Sequence, residues 1–140
     1  FNYPHEKRQA IIDAGYNTTI EYFINKLPDK KQKIYNVYEK LLFSMRKIQE
    51  MFLRKKFAHA KNILSELFIL LADNKDIIDE SIYKDIKMFQ NLLFSNINYG
   101  LLGHVRCENL NVVKSQLLLI IDNLTQRLKE FEDYFSKFSV

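Results

Sequence analysis

His104 and Cys107 stand three residues apart, the spacing at which a helix sets two metal ligands on one face or a thiol beside a base. A structural zinc site needs four ligands, and the other interior histidine, His59, is distant in sequence. Nothing near His104 would orient an imidazole for a nucleophilic pair, so the two read as a buried thiol beside a surface histidine. Two carboxylate groupings, Asp76 with Asp79 and Glu130 with Glu132 and Asp133, have the side chains for general acid-base work. Their polar neighbours place them at a helix start and on a solvated face, where such work lacks the burial it needs. The three glycines occur as DAGYN, NYGLL and LLGHV, which leaves no nucleophile elbow, phosphate-binding loop or dinucleotide fingerprint. No catalytic residue, metal or cofactor is expected in this segment.

Binding to a partner is the chemistry that remains. With Tyr38 and Met45 turned inward on one helix, Phe43 points nearly opposite, flanked by Tyr35, Leu42 and Arg46. Aromatic and arginine side chains on an exposed face are the material of interface hot spots. Tyr35, Leu42, Phe43 and Arg46 are therefore the candidate contact residues, with Phe94 and Tyr99 as a second candidate pair. The competing bland expectation is that the first helix covers this face.

These residues must be positioned by helices. Of 140 residues, 47% are hydrophobic and 14% aromatic, enough for a core, while three Gly and two Pro supply little punctuation for sheets. A first helix is expected from Pro4 to Leu27, stopped by Pro28. A second starts at Asp29 with the seam Ile34, Tyr38, Leu41, Met45, Ile48 and Phe52. After a tight turn at 54–56, a third carries Phe57, Ala60, Leu64, Leu67 and Leu71. Asp79 caps a fourth, with Ile82, Ile86, Phe89, Leu93 and Asn96, whose seam then meets Gly100 and Gly103, so that it is expected to fray near Tyr99 or, as the alternative, to let a neighbouring backbone come close there. Following Asn109, the last helix shows Leu110, Val113, Leu117, Ile120, Leu124, Phe131, Tyr134 and Phe138, interrupted by Arg127 and widened by Leu118, Ile121, Leu128 and Phe135. The expectation is an all-α antiparallel helical bundle of about five helices, with 1–28 a linking helix and 29–140 the bundle.

Charge and cysteine usage limit the partners. Twenty-one basic and 17 acidic residues give a net charge of +4, too evenly mixed to indicate nucleic acid. The densest basic groups, Lys30, Lys31 and Lys33 and then Arg54, Lys55 and Lys56, fit solvated helix ends, with contact to anionic lipid a secondary reading. One cysteine cannot form an internal disulfide, which suits a reducing compartment, and the longest apolar run, LLLII at 117–121, is far short of a membrane span. The start at Phe1, without Met, is expected to mark a processed chain or a piece cut from a longer one.

The stretch EKRQAIIDAGYNTTIEYF resembles the closing helix of patatin-like phospholipase domains, at Arg8, Ile11, Ile12, Ala14, Gly15, Tyr16, Thr19 and Tyr22. The likeness covers about 20 residues of weakly specific sequence. In bacterial effectors of that family, VipD-like and ExoU-like, helical domains follow the catalytic domain. The resemblance implies a module that binds a host small GTPase of the Rab type, or ubiquitin and phosphoinositide. It also implies a bacterial protein secreted into the host cytoplasm and directed to endosomal membranes, with the lipase residues upstream. The layout from MRKIQEMFLRKKFAHAKNILSEL onward is also similar to flagellar export chaperones, whose bundle wraps a disordered client. That family's apolar Leu-Tyr-Asp-Gly stretch is absent, with YNVYEKLLFSM in its place.

Overall fold

The computed structural model describes residues 29–137. Its elements are α1 (Asp29–Leu53), α2 (Phe57–Asp73), α3 (Glu80–Asn96), a hairpin of β1 (Ile97–Tyr99) and β2 (Val105–Cys107), and α4 (Leu110–Ser136). The expected all-α bundle is present, with four α-helices rather than five among the described residues. The helix expected over 4–27, the linking role of 1–28 and Phe138 lie outside them.

Three helical stripes close the core as their spacing requires. On α1 Tyr38, Leu41, Met45, Ile48 and Phe52 are buried, and the five seam positions of α2 and the five of α3 are buried as well. Each large apolar side chain so enclosed contributes about 1.5 to 3 kcal/mol. α4 follows its expected seam in its first half and the expected widening in its second. Its expected seam is buried from Val113 through Leu117, Ile120 and Leu124; of the residues expected to widen it Ile121, Leu128 and Phe135 are buried, while Leu118 and the seam residue Tyr134 are exposed. A straight helix drifts about 20° per heptad against a strict seven-residue repeat, so over 27 residues the stripe passes to Leu128 and Phe135.

The connections are built from specific hydrogen bonds. At the end of α1 the Lys55 N–H donates to Phe52 O at 3.1 Å and the Lys56 N–H to Met51 O at 2.8 Å. This is a Schellman stop whose left-handed position holds Lys55 at φ 57°, where glycine is usual. Between α2 and α3, Asp79 caps α3 as expected, accepting from Ser81 N–H at 3.3 Å. Asp79 also pairs with Arg127, and its own N–H donates to the Tyr38 hydroxyl at 2.9 Å. The polar interruption in α4 is thus the cation that fixes the α2–α3 connection.

Fraying near Tyr99 does not occur. α3 ends at Asn96, and Ile97, Asn98 and Tyr99 pair antiparallel with Cys107, Arg106 and Val105. β-Branched and aromatic residues favour the pleated form, and two glycines suffice for the turn. The Gly100 N–H donates to His104 O at 2.6 Å, and a Cβ at Gly100 would meet that oxygen at 3.2 Å. Gly103 takes φ +77°. Buried Asn96 clasps the base of the hairpin. Its Nδ2 donates to Leu92 O at 2.7 Å, its Oδ1 accepts from Asn109 Nδ2 at 2.9 Å, and its carbonyl accepts the Glu108 N–H at 2.7 Å.

Candidate partner-binding site

α1 and α4 run antiparallel and leave between them a cleft of about 970 Å³. Its lining includes all four candidate contact residues, Tyr35, Leu42, Phe43 and Arg46, together with Leu128 and Glu132. Their roles differ from the expected single exposed face. Leu42 is only 8% exposed and belongs to the core, so it is the floor of the cleft and not a flank. Leu42 shares that floor with Leu128, the equally buried residue to which α4's stripe has drifted. Phe43 stands on the rim at 61% exposure, with Lys47 Nζ 4.5 Å from its ring centroid. Arg46 is exposed beside it.

Tyr35 is half-buried, its ring edge-on to Phe131 at 6.0 Å and to Phe135 at 5.8 Å. Its hydroxyl donates to Glu132 Oε2 at 3.4 Å. Burial, followed by the negative charges of Glu39 and Glu132 and the hydrogen bond to Glu132, pushes the phenol up to about 12. Glu39 is raised above the usual carboxylate range, by burial first and then by Glu132. Glu39, Glu132 and Asp133 line the same cleft as Lys40, Arg46 and Lys129. The result is an apolar floor, one exposed aromatic and a rim of both charge signs.

The other candidates are placed differently. Phe94 is half-buried against Phe68 at 5.9 Å, and Lys61 lies between Phe94 and Tyr99, with its Nζ 3.3 Å from the Tyr99 hydroxyl. This pair therefore belongs to the hairpin end. His104 and Cys107 do not share a helical face, because both lie in the hairpin segment, where residues three apart turn to opposite sides. Cys107 packs on the core, its Sγ 3.5 Å from Glu108 O, and burial pushes the thiol up; His104 is exposed. Of the carboxylates, Asp79 is the α3 cap already described, and Glu132 and Asp133 stand at the cleft. No group of three or more His, Cys, Asp and Glu able to hold a metal ion occurs among the described residues, and no helix there is long and apolar enough to cross a membrane.

Sequence reasoning passed over Leu101 and Leu102 at the hairpin tip. The available signal was an apolar pair between two glycines, in a turn where polar residues are the rule. In comparisons with protein-family models, with curated proteins and with solved structures, nothing matches this chain.

Proposed function

We propose that the chain is a helical protein-interaction module which seats the apolar anchor of a folded partner in the cleft between α1 and α4. The observation that carries this reading is the convergence of Tyr35, Leu42, Phe43 and Arg46 on one concavity. An exposed aromatic over a buried leucine floor gains most from being covered, and a rim of mixed charge selects a partner that offers both signs. The resemblance of the opening stretch to patatin-like effectors narrows the partner to a host small GTPase or ubiquitin. In that setting the module localises or activates an upstream lipase.

Immobilised Rab GTPases in both nucleotide states and immobilised ubiquitin test the proposal. Retention of the chain by one of them is expected, and Phe43→Ala should weaken it by about 1 to 3 kcal/mol. Retention by neither removes the named partners. Retention by a flagellin C-terminal peptide instead would favour the export-chaperone alternative. The melting temperature of Phe43→Ala should stay close to that of the parent; a large fall would make Phe43 a packing residue.

A further inference from the structure

The two connections α1–α2 and α3–α4 lie at one end of the bundle, since the helices alternate in direction and β2 packs against α2. Leu101 and Leu102 at the hairpin tip are 91% and 97% exposed, and Leu53, the last residue of α1, is 76% exposed. Tyr99 and Val112 add to the same apolar cap. Cations surround it. Lys55, Lys56 and Arg106 form no ion pair among the described residues, and Lys61 and Lys114 follow the first turns of α2 and α4. Arg54 is neutralised by Glu50 at 2.7 Å, which leaves Glu108 as the remaining carboxylate at this end among the described residues. The opposite connection instead carries Asp73, Asp76, Asp79 and Glu80.

Backbone conformation gives a second, independent pointer. The described residues contain three non-glycine positions with positive φ, Lys55 at 57°, Leu102 at 63° and Asn109 at 49°, and all three are at this end. Asn109 tolerates that region and uses its side chain in the Asn96 clasp. Lys55 holds the left-handed position of the α1 stop and Leu102 that of the hairpin turn, yet neither side chain makes a hydrogen bond or ion pair among the described residues. Glycine would occupy either position without strain. What the strained residues supply is one more cation and one more protruding apolar side chain.

We infer that this end docks onto an anionic lipid bilayer, with Leu101 and Leu102 entering the interfacial layer and Lys55, Lys56 and Arg106 meeting the headgroups. Tyr99, amphipathic and bonded to Lys61, suits the headgroup level. A convex tip enters a surface that deforms around it, whereas a protein partner would have to offer a preformed pocket. Nucleic acid would satisfy the cations and leave the leucines bare. Apolar insertion and attraction to anionic lipid add together, and each alone gives only weak binding.

Sedimentation of the full chain with phosphatidylcholine vesicles, with and without phosphatidylserine, tests this. Retention by phosphatidylserine vesicles is expected, falling roughly tenfold on neutral vesicles or at high salt. Leu101→Asp with Leu102→Asp should reduce it by about tenfold or more. Leu102→Gly should weaken retention while the melting temperature holds or rises, which separates docking from folding. Phe43→Ala should leave retention unchanged, so failure here and failure of the cleft reading are distinguishable. No sedimentation, equal retention on neutral vesicles, or retention indifferent to the tip substitutions would each overturn the inference. So would a tip-dependent dimer, or tip-dependent capture on an acidic protein, in a chain that ignores vesicles.

Discussion

The α1/α4 cleft and the hairpin end both expose apolar side chains, yet they rest on different foundations. Phe43 rises from the middle of a 25-residue helix, next to buried Leu42 and over a floor shared with Leu128. Leu102 rises from strands of three residues, tied to the core through Ile97, Val105, Cys107 and the Asn96 clasp. A site cut into a packed scaffold keeps its shape before a partner arrives, which suits recognition of a rigid surface. A tip held by a few hydrogen bonds adjusts after contact. The position of an exposed hydrophobic residue on its scaffold therefore says more about its occupant than exposure alone.

That contrast breaks first at Phe135, which is fully buried under Tyr35. Phe135→Ala should cost about 3 to 5 kcal/mol in urea unfolding and abolish cleft binding, while Leu101→Ala stays within about 0.5 kcal/mol. Equal losses would mean that the tip is packed like the cleft.

A smaller effect sharpens the difference. Gly103→Ala places a side chain at φ +77° and should cost about 1 kcal/mol. Hydrogen exchange should speed up in the hairpin amides alone, because the hairpin opens as a local unit; acceleration throughout α1 would refute that independence.

The smallest effect is electrostatic and confined to the cleft. Glu39 is raised in the folded chain, so between its unfolded and folded pKa values the native state holds more protons than the unfolded one. Stability then falls as pH rises through the carboxylate range, and Glu39→Gln should flatten that slope by less than about 0.5 kcal/mol, since the group is exposed. Melting curves measured across acidic pH check it, and an unchanged slope would assign the effect elsewhere.

Much of the bundle was legible because regular spacing and burial are one constraint seen twice. The seams of α2 and α3, the Asp79 cap and the tight turn at 54–56 follow from local rules, and the exposure of Phe43 and Arg46 follows from the helical wheel of α1 alone. What escaped depended on partners distant in sequence. Leu42 became floor because Leu128 lies across from it, and no wheel of one helix contains that fact. Buried Gln90, whose Nε2 donates to Leu64 O at 3.2 Å, carries no sign of its burial in the surrounding residues. The hairpin was hidden by the scarcity of glycine, which argued correctly against large sheets and said nothing about one short ribbon.

The ring of helices has a kinetic consequence. α1 meets α2 across the turn at 54–56, and α3 meets α4 across the hairpin, so these pairs join elements that are neighbours in sequence. The approach of α1 to α4 carries the greatest loop-closure cost, joining Tyr35 to Glu132 across 97 residues. The cleft therefore exists only when the two most sequence-distant helices of the described chain are in place together. Occupancy of the cleft would report that the ring of helices is closed.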